Sequence, residues 1–128
     1  MSISERPEFE SWLASMVRQH GEFTVLVVLT EIAETRVVPL ASTYFHVIGD
    51  DVHWQDIVSM FAGSGHEWNG AAFFATKGHD GGPADHITAT QRLRELEQKV
   101  TADRMVLNEG QFFDTLGRRI KIEPLAEV

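Results

Sequence analysis

The side chains best equipped for chemistry crowd into one run, Lys77-Gly78-His79-Asp80-Gly81-Gly82-Pro83-Ala84-Asp85-His86. It follows the apolar stretch Gly70 to Thr76 and precedes an amphipathic one, so it reads as a loop from a buried strand to a helix N-terminus. Ligand sites in α/β proteins gather at such places. Glycines there permit close backbone approach, a helix start offers free N–H groups to an anion, and Lys77 adds positive charge. A small-ligand or nucleotide sensor is one reading. Against it, the run lacks the Lys-Ser/Thr ending of a P-loop and the G-x-G-x-x-G of a dinucleotide fold, and Asp80 and Asp85 oppose a phosphate. The simpler reading is a turn with Asp85 as helix N-cap.

His79, Asp80 and His86 also form the candidate metal set, since imidazole nitrogen and carboxylate oxygen suit zinc or another divalent ion. Their spacing matches no strong ligand signature. His86 falls at the border of the apolar stripe Ala89, Leu93 and Leu96, so a half-buried histidine with one hydrogen-bonded nitrogen is the plainer account. The loop His66-Glu67-Trp68-Asn69 places an imidazole, an acid and an indole side by side and would complete a ligand pocket for acid–base work. Trp68 reads equally as a lid over the core edge. A second acidic cluster, Asp50, Asp51, His53 and Asp56, suits a turn and the positive end of a helix dipole.

Nucleophilic catalysis finds little support, because there is no cysteine and no G-x-S-x-G. A metal-assisted or acid–base hydrolase using residues 77–86 is therefore the enzyme reading. No specific motif implies a cofactor, and the sequence leaves open whether the chain is an enzyme.

These residues need elements to hold them. Phe9, Trp12, Leu13, Met16, Val17 and His20 recur at helical spacing, which predicts a helix over 8–20 that Gly21 ends. Residues 23–30, Phe-Thr-Val-Leu-Val-Val-Leu-Thr, form an apolar β-branched run, as in a central strand covered on both faces. Between 31 and 50, Arg36-Val37-Val38 and Tyr44 to Ile48 both resemble strands, with Pro39 suggesting a hairpin or bulged edge. Trp54, Ile57, Val58 and Phe61 make one helical stripe, with Asp50 and Asp51 supplying turn and cap. Gly70 to Thr76 is another buried strand. Ala89, Leu93, Leu96 and Val100 define a third helix over about 85–101.

The tail offers three short apolar groups, Met105-Val106-Leu107, Gln111-Phe112-Phe113 and Arg119-Ile120-Lys121-Ile122, read as an antiparallel meander. The fold class expected is α+β, one compact domain over 1–128, with a mixed sheet of about five to six strands packed with about three helices.

The chain has 128 residues, 43% hydrophobic and 23% charged, with a formal net charge of -8 from 11 basic and 19 acidic side chains. Its mean field repels nucleic acid and anionic membranes. The absence of cysteine fits a reducing compartment, so a cytoplasmic location is expected, and no apolar run reaches the roughly 20 residues of a membrane span. The basic trio Arg118, Arg119 and Lys121 alternates around Ile120 as an edge strand would, and one of Phe112 and Phe113 is expected to be exposed there. That makes Phe112, Arg118, Arg119 and Lys121 the candidate interface. The favoured reading is a small cytoplasmic binding or regulatory module, pairing with itself as a homodimer or with another protein through a sheet edge or apolar face.

Overall fold

A computed structural model describes residues 8–34, 36–49 and 52–122. Its elements run α1 (Glu8–His20), β1 (Phe23–Ile32), β2 (Val37–Val47), α2 (Trp54–Ala62), β3 (Gly70–Thr76), α3 (His86–Ala102), a 3-10 helix (Arg104–Glu109) and β4 (Gln111–Asp114). The strands form one sheet of order β2-β1-β3-β4, every neighbouring pair antiparallel.

Eight consecutive residues of β1, Phe23 to Thr30, are buried, because helices cover the sheet on both sides. Alternation along the strand divides the core in two. Phe23, Val25, Val27 and Leu29 face α1 and α2, where they meet Phe9, Leu13, Trp54, Ile57 and Phe61. Leu26 and Val28 face the other way, toward Leu96 and Val100 of α3 and Leu107 of the 3-10 helix. The first core is rich in rings. Phe73 at its centre lies 4.8 Å from Phe9, 6.1 Å from Trp54 and 5.8 Å from Phe113, ring centroid to centroid.

Polar groups stitch the layers. The Glu10 carboxylate, buried on α1, accepts the backbone N–H of Trp54 at 2.8 Å and so occupies the N-terminal turn of α2, where negative charge is favoured. The Trp54 indole donates to the Thr115 carbonyl at 2.9 Å. Asn69 imitates a strand, accepting from Ile32 N–H at 2.6 Å and donating to its carbonyl at 3.0 Å.

Among the described residues, the expected mixed sheet of five or six strands with about three helices is instead a wholly antiparallel sheet of four with three α-helices and a 3-10 helix. Met105-Val106-Leu107 lies in the 3-10 helix, started by the Asp103 carboxylate accepting from Met105 N–H at 3.0 Å. A three-residue apolar group carries too little periodicity to separate a strand from a helical turn. Residues 119–122 form no strand either. Arg119 makes a single bridge to Phe113, and Ile122 turns its N–H and carbonyl to the Asn108 side-chain amide, each at 2.8 Å. The two strands expected between 31 and 50 are one. β2 runs through Pro39, and the register against β1 slips at Leu40, which has no partner between Pro39 and Ala41. An edge strand tolerates both, since Pro lacks a ladder donor and the bulge absorbs the extra residue.

The cap of α2 is His53, whose backbone N–H donates to the Asp56 carboxylate at 3.2 Å. Asp50 and Asp51, read as its turn and cap, lie outside the described residues. Among the described residues, no helix is long and apolar enough to cross a bilayer.

Candidate functional site

Thr24 is one of two buried hydroxyls in the largely apolar β1, and it is fully buried on the α3 face of the sheet. Opposite it in the ladder stands His46, and opposite Leu26 stands Tyr44, so both β2 side chains share that face. The N-terminal turn of α3 then brings His86 over Tyr44. The result is a chain of contacts: Thr24 Oγ1 to His46 Nδ1 at 2.8 Å, Tyr44 Oη to His86 Nδ1 at 2.5 Å, and the Tyr44 ring 5.8 Å from His46 and 5.9 Å from His86.

Hydrogen bonds hold the rings in place. Thr24 Oγ1 accepts the backbone N–H of Ala84 at 2.8 Å and shares a further hydrogen bond with His46 Nδ1. The phenol of Tyr44 and His86 Nδ1 share a second hydrogen bond. Neither Nε2 has a hydrogen-bond partner among the described residues. Two imidazoles and a phenol thus stand together beside the outer strand.

The 77–85 loop folds on itself. Gly78 N–H donates to the Gly82 carbonyl at 2.7 Å, Gly81 N–H to Gly78 at 3.0 Å, and Gly82 N–H to the Asp80 carboxylate at 3.0 Å. A Cβ on Gly78 would sit 2.9 Å from the Pro83 carbonyl, and Gly81 adopts φ +88, so these glycines serve the turn. Asp85 is the N-cap foreseen for α3, its carboxylate accepting from Thr88 N–H at 2.7 Å. That bond, then the charges of His79 and Arg92, hold its carboxyl below the usual range despite some desolvation. Lys77 sends its ammonium to the His20 carbonyl at the C-terminus of α1, a helix-capping role, and Arg92 donates to Thr76 Oγ1 at 2.5 Å and to the Lys77 carbonyl.

The expected metal set is not assembled. His79 and Asp80 are exposed, His86 turns its Nδ1 to Tyr44, and among the described residues no three His, Asp or Glu side chains converge to hold an ion. Nor does the 66–69 loop complete a pocket with 77–86. The two segments flank β3, whose seven residues, Gly70–Thr76, keep them about 20 Å apart. Trp68 packs against Phe61 at 5.3 Å and Trp54 at 6.2 Å, the lid reading, while His66 and Glu67 are exposed.

The expectation of an exposed phenylalanine at the terminal edge is overturned. Phe112 and Phe113 point to opposite faces of β4, and both faces are covered, leaving them 2% and 0% exposed. The segment after β4 seals its outer side. Asp114 N–H donates to the Arg118 carbonyl and Ile120 N–H to the Phe112 carbonyl, both at 2.9 Å. Arg118 pairs with Asp114 at 2.9 Å, Arg119 stacks 5.6 Å over the Phe113 ring and lies 3.7 Å from Glu8, and Lys121 is exposed. Phe112 is thus unavailable as an interface residue in this fold, and the two arginines bind within the chain.

Asp114 supplies a pH prediction. Burial raises its carboxyl, but hydrogen bonds from Arg118 and Leu116 N–H and the Arg118 charge outweigh that and hold it low. With the folded-state value depressed, its stabilisation is present above the unfolded-state value of about 4 and disappears as pH falls through the folded one. Denaturant titrations are expected to show Asp114→Asn losing less stability than the parent between neutral pH and about pH 3.

The sequence did not single out Thr24, Tyr44 or His46. Two signals were present: a hydroxyl near the start of an apolar run, and an i,i+2 Tyr-His pair on one strand face. No protein-family model, characterised protein or solved structure matches the chain.

Proposed function

We propose that this chain is a small cytoplasmic binding module whose working surface is the free edge of β2. The observation that carries this reading is the contrast between the sheet's two edges. β4 is closed by residues 118–120, whereas no described residue pairs with the outer side of β2 over Val37–Val47. An extended peptide added to such an edge gains a ladder of backbone hydrogen bonds, with side-chain contacts supplying selectivity. Tyr44 and His46 project from one face of this edge, with His86 beside them, and would meet the side chains of an added strand.

A synthetic peptide with the sequence of residues 37–48 serves as strand probe, read by residue-resolved amide hydrogen exchange. Added peptide is expected to protect alternate β2 amides, those facing away from β1, while the amides of β4 keep their rates. Unchanged exchange along β2 at saturating peptide in a sample dilute enough to be monomeric by light scattering, or protection confined to another surface, overturns the reading.

The Tyr44–His86 pair favours a second reading, acid–base chemistry on a small ligand, because its 2.5 Å hydrogen bond joins two groups able to exchange a proton. It involves no metal set and draws only His86 from the 77–86 run.

A further inference from the structure

We propose that the occupant of the β2 edge is a second copy of this chain, joined antiparallel about a two-fold axis through the middle of Ala41–Val47, so that two four-stranded sheets become one of eight. The proposal rests on the reading of β2 as the working edge and names its partner.

Geometry supplies the first argument. The outward N–H and C=O groups of a strand are matched by those of an identical strand running the opposite way, so an antiparallel homotypic pair is self-complementary and closes as a dimer. Residues Ala41–Val47 keep an unbroken register with β1, and the bulge at Leu40 and Pro39 lie beyond one end. The other edge has no such uninterrupted segment, because β4 has four residues and is covered.

Charge supplies the second. The strand Val37-Val-Pro-Leu-Ala-Ser-Thr-Tyr-Phe-His-Val47 contains none of the chain's 11 basic or 19 acidic residues. Two copies that each carry a net charge of -8 repel over most of their surfaces, and like charges directly opposite each other destabilise a strand pair. β2 is the seam along which no such pair arises. A strongly charged peptide, by contrast, would find no countercharge on this strand.

Edge protection supplies the third. Sheet edges are kept from pairing by lysines, inward charges, bulges, prolines or covering segments. The chain uses these devices at β4, with Arg118, Arg119 and the 118–120 cover, and at the Pro39 end of β2. It uses none between Ala41 and Val47.

The side-chain alternation restricts the register. Paired residues must share a face, so the axis passes through a residue, not between two. With Thr43 on the axis, Ser42 opposes Tyr44 and Ala41 opposes Phe45; with Tyr44 on it, Thr43 opposes Phe45 and Ser42 opposes His46. With Thr43 on the axis both Tyr44 and Phe45 meet small side chains, whereas with Tyr44 on it the two Tyr44 rings meet each other.

The chain has no cysteine, so single replacements report without background. Ser42→Cys, Thr43→Cys, Tyr44→Cys and Phe45→Cys are oxidised mildly in the full chain, after circular dichroism shows each folded. The parent's mass is followed by light scattering over a concentration series. The expected result is a concentration-dependent dimer in which one on-axis position forms a disulfide with itself, since Cα atoms opposed across an antiparallel pair lie about 4.5–5.5 Å apart. Thr43→Lys, at an exposed position, is expected to raise the dimer dissociation constant about tenfold or more. A monomer at every concentration, or a dimer that cross-links at none of the four positions and ignores Thr43→Lys, overturns the proposal. If the 37–48 peptide still protects β2 in those cases, the edge reading stands and only the second copy is excluded; if it does not, both fall.

Discussion

Phe73→Ala is expected to remove about 3–5 kcal/mol of folding stability, the range for truncating a buried aromatic side chain. The ring is fully buried and stands in an aromatic cluster with Phe9, Trp12, Trp54, Phe61 and Phe113. It also joins α1, α2, β3 and β4 into one core, so the cavity left behind has walls from four elements that cannot all move inward together. A domain of this size has about 5–15 kcal/mol in total, so this one truncation consumes a large share. Urea unfolding followed by tryptophan fluorescence checks it. A midpoint close to the parent's would show that the cluster repacks around the gap, while Phe73→Leu, which keeps more of the volume, is expected to fall between the two.

Thr24→Val is expected to cost about 1–3 kcal/mol although it keeps the shape of the side chain. The loss is chemical. Without the hydroxyl, the Ala84 N–H has no acceptor in a buried position and His46 Nδ1 loses its partner. Because Ala84 is the point where the 77–85 loop is pinned to β1, the variant is also expected to speed amide exchange at Ala84 and through the first turn of α3. Thr24→Ser retains the oxygen and separates the two effects: it should keep the Ala84 amide protected while losing only the methyl contact. Equal exchange at Ala84 in parent and Thr24→Val would mean that the hydroxyl does not anchor the loop.

The same anchoring shows how the fold serves the proposed edge. Tyr44 and His46 are fixed from the inner side, by His86 and Thr24, so the outer strand is held straight by the molecule it belongs to. An edge ordered before it meets a partner loses less conformational entropy on pairing. On the proposed reading, the cluster orders the edge before it pairs.

What the amino-acid order determines alone is local. Apolar residues at helical spacing marked the helices over 8–20, through about 62 and over about 85–101, close to the observed Glu8–His20, Trp54–Ala62 and His86–Ala102. Asp85 announced itself as an N-cap by residue type and position, and the β-branched run at 23–30 announced a strand covered on both faces, because each of these signals is complete within a few residues. The tertiary structure decided the rest. Whether Met105-Val106-Leu107 joins the sheet depends on Asp103 and on the space left under α3, and whether Phe112 meets solvent depends on helices distant in sequence. Likewise, Lys77, His79, Asp80 and His86 are neighbours along the chain but do not act together. His86 instead meets Tyr44, 42 residues away, because the antiparallel ladder and the crossing of α3 bring their side chains to one face of the sheet. Which edge stays open is equally a property of strand order, and strand order follows from how the two cores are filled, not from any one strand's own residues.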